Sequence, residues 1–166
     1  MAEPVRGHLE REARRIEEDS LYSSKSHFEA AATWGRIHIW LGLPSAILAA
    51  IATVLAFADL GIFAGILALL VTGLTSVMTF LNPSQRQHEH HVAGTRCHTT
   101  RSKARFFREV DLVSERTEEN LVVQLQSILS EYQQVRADCP PVPDWAYRRA
   151  RKGIEEGQAA YEVDRS

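Results

Sequence analysis

Two runs of apolar residues interrupt an otherwise polar chain. From Ile39 to Leu81 the one formal charge is Asp59, whereas roughly the first quarter and the last half of the sequence are rich in charged residues. About 20 apolar residues carry a helix across the hydrocarbon core of a bilayer, so this stretch is long enough for two crossings, residues 39–58 and 60–81. Asp59, Leu60 and Gly61 leave room for a short turn only, which makes the two spans antiparallel neighbours. Pro44 is tolerated near the start of the first span where water or a neighbouring side chain takes up the released carbonyl. The alternative is a helical hairpin buried in a soluble bundle. Each of its helices would need apolar cover all round, which a single domain of 166 residues seldom provides. The predicted fold class is therefore an all-α membrane protein, a two-helix transmembrane hairpin over residues 37–83 with long cytosolic helices before and after it.

The flanking segments carry helical periodicity of a different kind. Over residues 1–36, Leu9, Ala13, Ile16, Ser20, Ser24, His27, Phe28, Ala31 and Gly35 share one face, with Glu10, Arg11, Arg14, Arg15, Glu17 and Glu18 largely elsewhere. That stripe is narrow and built of small residues, which suits close packing on a neighbouring helix. Asn82, Pro83 and Ser84 end the apolar run. Residues 84–137 predict a cytosolic helical pair. The first member, to about Leu112, has the modestly apolar face Val92, Ala93, Cys97, Ala104, Phe107 and Val110. The second starts at Thr117 as N-cap, with Glu118 and Glu119 in its positive first turn. In it Leu121, Leu125, Ile128, Tyr132 and Val135 recur in alternating steps of four and three, the seam of a left-handed helix pair. That seam serves either a coiled coil between chains or packing within one chain. Pro140, Pro141 and Pro143 make residues 138–143 a stiff, extended link. Residues 144–166 are then read as a short helix to about Gly157 and a poorly ordered tail.

Charge sets the orientation. Arg86, Arg96, Arg101, Lys103, Arg105 and Arg108 outnumber the acidic residues of their segment until Glu109, and Arg36 precedes the first span. The positive-inside rule places both segments, and hence both termini, in the cytoplasm. The first apolar run starts only after Arg36, so it does not read as a cleaved signal peptide. Arg36, Trp40, Arg86, Trp145, Arg148 and Arg149 are the basic and aromatic candidates for the membrane surface. For the mixed cluster around Trp145, docking back on the helical bundle is the competing reading. A hydrophobic fraction of 45% does not by itself separate soluble from membrane proteins, and a net charge of −2 argues against a generally basic nucleic-acid binder.

Chemistry is sparse. Neither a phosphate-binding glycine loop nor a GxSxG elbow is present, so no catalytic residue and no cofactor is assigned. His88, His91, Thr95 and His98 would share a helical face, a conceivable zinc geometry, but the HExxH order is missing and no metal ligand is assigned. Cys97 and Cys139 lie far apart in sequence without CxxC spacing and read as free thiols in a reducing compartment. The second span is more informative. Gly61, Gly65, Ala68, Thr72, Thr75, Ser76 and Thr79 lie on one face, while Phe63, Leu67, Leu70, Val71, Leu74 and Phe80 cover the other sides. Small residues let helices approach closely in lipid and hydroxyls bond across helices, so this face is either a helix-packing seam or the lining of a pore. Two helices cannot enclose a lumen, and the second option requires a homo-oligomer.

The order of these features resembles a known family. A polar helix containing Leu21-Tyr22-Ser23-Ser24-Lys25-Ser26-His27-Phe28 and Trp34 leads into the apolar pair. Then follow Thr79-Phe80-Leu81-Asn82-Pro83-Ser84, the basic stretch Ala104-Arg105-Phe106-Phe107-Arg108-Glu109, and the closing Trp145-Ala146-Tyr147-Arg148-Arg149-Ala150-Arg151. This is similar to the SLATT domain, the two-transmembrane effector domain associated with SMODS and SLOG proteins of bacteria. The resemblance implies a non-enzymatic, pore-forming effector of antiviral and conflict systems in the bacterial inner membrane. It also implies a separate partner that makes or senses a nucleotide signal. A membrane-anchored scaffold that recruits a cytosolic partner through the helix beginning at Thr117 is the alternative.

Overall fold

The structure, a computed structural model, describes residues 5–159. The described residues are all-helical, without strands, in the order α1 (Val5–Phe57), α2 (Gly61–Leu81), α3 (Pro83–Phe106), α4 (Glu118–Asp138) and α5 (Asp144–Glu155), with a π-helical turn, Phe107–Asp111, continuing α3. Among the described residues, two helices are long and apolar enough to cross a membrane. The end of the predicted C-terminal tail lies outside the described residues, as do the first four residues of the N-terminal segment.

One difference from the sequence reading is that the first polar helix and the first apolar span are a single 53-residue helix with Pro44 inside it. A change from polar to apolar composition does not break a helix; it only changes the solvent that the helix suits. Ser45 next to the proline donates its hydroxyl to the Leu41 carbonyl at 2.7 Å. The turn after α1 is as tight as expected. Asp59 adopts a left-handed conformation, φ 57°, which Asp tolerates better than most residues, and the Leu60 amide donates to the Leu55 carbonyl at 3.0 Å. Asn82 is likewise left-handed, φ 42°, and its N–H closes α2 on the Met78 carbonyl. The next residue, Pro83, opens α3, where a missing N–H costs nothing.

The chain divides into two compact units, one built from residues up to Ala30 together with those from Glu89 onward, the other from Ala31–His88. The core of the first unit gathers Leu9, Ala13 and Ile16 from α1, Ala104 and Phe107 from the end of α3, and Leu121, Leu125 and Ile128 from α4. These are the positions the periodicity selects. The α4 seam is thus occupied within the chain, which leaves Leu121, Leu125, Ile128 and Val135 buried and not available for a coiled coil with another chain. Thr117 is the N-cap, its hydroxyl accepting from the Asn120 amide at 3.5 Å.

The π-helical turn explains where the α3 pattern departs from expectation. The Leu112 amide reaches the Phe107 carbonyl five residues back, and this wider turn rotates Val110 off the core face and brings Asp111 onto it. Val110 is consequently exposed, and Asp111 is buried. The buried carboxylate is compensated: Arg116 pairs with it at 3.0 Å and the Gln124 amide donates to it at 2.6 Å. Arg6 donates to the carbonyl of Leu112 (2.7 Å), which the helix end leaves without an intrahelical partner, and to that of Arg116 (3.0 Å) in the loop before α4.

Further along the same unit, helix packing is close enough to depend on small residues. Ser20, Ser24, Ser26, Ala30, Ala93 and Thr100 are all buried. At Gly94 a Cβ atom would sit 2.9 Å from the Phe28 ring. α5 docks here through Ala146 and Ala150, both buried, with Tyr147 tilted against Tyr22 at 6.3 Å between ring centroids and Arg149 3.6 Å from Glu29.

Candidate functional site

The second unit holds the candidate membrane-active surface. In its apolar stretch the half-buried positions on α1 are Leu41, Gly42, Pro44, Leu48, Ala49, Ala52 and Leu55, with Ser45 buried; on α2 they are Leu67, Val71, Leu74 and Met78, with Ala64 buried. A Cβ at Gly42 would lie 3.5 Å from the Met78 methyl, and one at Gly35 would lie 3.1 Å from the Gln87 side chain. The predicted face of α2 is a different one. Gly61, Gly65, Ala68, Thr72, Thr75, Ser76 and Thr79 are all exposed, and nothing lies within 4 Å of a Cβ built on Gly61, Gly65 or Gly73. Within one chain, therefore, this face stays open: its members are exposed, and its glycines have no neighbour within reach of a Cβ.

The hydroxyls on that face are satisfied locally. Thr72, Thr75, Ser76 and Thr79 donate to the carbonyls four residues back, of Ala68, Val71, Thr72 and Thr75, at 2.7–2.9 Å. Each oxygen still has acceptor capacity. The result is a row of acceptors along a helix otherwise clothed in large apolar groups, among which Ile62 is 80% and Leu69 74% exposed.

The basic and aromatic candidates fall in both units. In the second, Trp40 is exposed, Arg36 is exposed, and the Arg86 guanidinium lies over the Trp34 ring at 4.9 Å while its Nε donates to the Leu81 carbonyl. In the first, Arg149 lies over Trp145 at 5.8 Å, and Arg148 is exposed. Several arginines and lysines counted toward orientation are paired inside the first unit: Arg96 with Asp138, Lys103 with Glu131, and Arg108 with Glu17.

A second cluster was not legible in the sequence. The stripe His88, His91, Thr95 and His98 is exposed throughout. Brought together instead from three stretches are the buried His27 of α1 and Cys97 of α3 and the half-buried Cys139, the residue that caps α4. One ligand atom from each lies within 4.8 Å of the other two. His27 also meets His90, Nδ1 to Nδ1 at 3.0 Å with ring centroids 5.3 Å apart, so one of these nitrogens carries the proton and donates it to the other. Burial, reinforced by the His90 ring, lowers the His27 pKa to about 4, and burial pushes the Cys97 thiol up to about 12. At neutral pH the cluster therefore consists of neutral imidazole and protonated thiols. No spacing rule could have found it, because the two cysteines lie in different helical segments and the histidine in a third.

No protein-family model, curated protein or solved structure matches this chain.

Proposed function

We propose that this chain is a two-span membrane effector that assembles with copies of itself to form or gate a pore in a bacterial inner membrane, as the SLATT resemblance implies. The observation that carries the reading is the second unit's own surface. In the most apolar stretch of each long helix, 11% and 6% of residues are buried by the rest of the chain. A core helix of a soluble protein would be largely covered. Trp40, Phe57 and Phe80, 76%, 87% and 87% exposed, mark the ends of the apolar zone. Lipid is the solvent that matches such a surface, with the two spans crossing as an antiparallel hairpin.

The aligned hydroxyls of α2 add the second half of the reading. A surface that met lipid alone would gain nothing from four of them in two turns, whereas a second copy of the chain or a column of water would find acceptors there. The first unit would then act as the regulated part, a two-state element that a nucleotide-signalling partner biases by binding one state better than the other. On the scaffold alternative, a partner recruited by α4 would have to use its outer face, since the seam is spent inside the chain.

Purified protein added to liposomes tests the function: ion flux that rises more steeply than linearly with protein concentration is expected, and intact vesicles with the protein fully inserted and activated would exclude a pore. Orientation needs introduced reporters, because Cys97 is buried. In intact cells an impermeant maleimide should label Leu60→Cys in the turn and spare Thr95→Cys on α3. Labelling of the α3 position alone would invert the topology.

A further inference from the structure

His27, Cys97 and Cys139 form a cluster that the membrane reading does not use. They come from α1, from α3 and from the end of α4, and within the first unit they bring one nitrogen and two sulfurs within 4.8 Å of one another. The geometry points to a binding site for a thiophilic divalent cation of the Zn2+ type, held by a ring nitrogen of His27 and the Sγ atoms of Cys97 and Cys139.

Size supports this. Tetrahedral zinc with bonds of about 2.3 Å to sulfur and about 2.0 Å to nitrogen spaces its ligand atoms roughly 3.3–3.8 Å apart. The observed atoms need to close by no more than about 1.5 Å to reach that spacing. Ligand type supports it too. Two thiols and an imidazole with no carboxylate among them are the donor set of a borderline-soft cation and a poor one for Mg2+ or Ca2+.

The surroundings match a built site. Metal-ligating histidines are held by an outer partner on their second ring nitrogen, and His90, itself buried, meets His27 Nδ1 at 3.0 Å, which assigns Nε2 of His27 to the metal. Cys97 is 5% exposed and His27 2%, so the site is closed on those sides. Cys139 is half-buried and opens the route of entry. Binding releases the two thiol protons to solvent and leaves both sulfurs as thiolates on the metal. It involves no change of oxidation state. The bound ion would join the segment around residue 27 to those around 97 and 139, and because the unfolded chain does not hold the three ligands together, it would stabilise the folded unit.

The test uses the full chain in detergent, reduced and stripped with a chelator, and Co2+ as the spectroscopic probe. One Co2+ per chain should bind, with thiolate-to-cobalt charge transfer in the near ultraviolet and intense visible bands of tetrahedral cobalt, and Zn2+ should displace it. Cys139→Ser, chosen because its position is half-buried, should weaken binding by about tenfold or more, and Cys97→Ser and His27→Ala should do the same. His90→Ala should weaken binding by about tenfold through loss of the outer partner. Variants of the exposed His88, His91 and His98 should bind like the parent. Circular dichroism in chelator checks that each variant folds; should Cys97→Ser or His27→Ala fail this, the parent and Cys139→Ser still decide. Absence of thiolate charge transfer in the reduced parent would overturn the site. So would unchanged affinity in Cys139→Ser, or a Cys97–Cys139 disulfide that, once reduced, takes up no metal.

Discussion

Replacing Thr72, Ser76 and Thr79 together by valine is expected to lower ion flux through the assembled protein by about tenfold or more while insertion and abundance stay near those of the parent. The three hydroxyls bond to carbonyls of their own helix and lie on its exposed face, so the folded monomer depends little on them. Valine is close in shape to threonine and acceptable to a helix in lipid. What the substitution removes is a row of acceptors from the exposed face. If that face lines a lumen, an apolar constriction sheds water, and ions lose the groups that replace their hydration. A hydroxyl contact in lipid is worth about 0.6–2 kcal/mol between helices, and a loss of that size along the path corresponds to several-fold or more in a rate, since about 1.4 kcal/mol is tenfold. The measurement is flux across bilayers at matched insertion. Equal flux in parent and triple variant would remove these residues from the conduction path.

The largest stability effect is expected at Phe107. It is fully buried where α1, α3 and α4 converge, and truncation to alanine leaves a cavity that the packed helices cannot close. A cost of about 3–5 kcal/mol is typical of such a change, a large part of the roughly 5–15 kcal/mol by which a domain is stable. Hydrogen exchange should report it selectively. Amides of α4 and of α1 before Ala30 should lose orders of magnitude of protection, while those of α2, in the other unit, should keep theirs. Equal loss in both units would mean that they unfold as one, and no loss would contradict the packing of Phe107.

Helix positions and buried faces were readable because both follow from local periodicity. Leu9, Ala13, Ile16, Leu121, Leu125 and Ile128 occupy the core as their spacing requires, and Thr117 caps α4. The fusion of the first two predicted helices into α1 is not legible in hydropathy, because a boundary in hydropathy is not a boundary in structure; nothing between Arg36 and Ile39 disfavours helical geometry. Val110, expected on the apolar face, is exposed because a π-helical turn shifts the phase of a helix, and no residue type announces it. For α2 the sequence identified a face but not its neighbour: the helix packs through Ala64, Leu67, Val71, Leu74 and Met78 and leaves the small and hydroxylated face open. The His27, Cys97 and Cys139 cluster lay beyond reach for a different reason, since it exists only once three separate segments have packed.

The composition of the first unit also orders events during synthesis. Its α1 portion, ending near Ala30, leaves the ribosome before either apolar stretch, and its partners on α3 and α4 are completed only after both. At about 5–20 residues per second, the segment waits on the order of ten seconds for Leu121, Leu125 and Ile128 to appear. On the membrane reading, the apolar stretches have by then met the insertion machinery, so insertion precedes closure of the cytosolic core. The waiting segment suits that schedule. Its inner face is mostly alanine and serine, with Leu9 and Ile16 as its large aliphatic members up to Ser20, and it offers chaperones and aggregation little to hold while the rest of the chain is made.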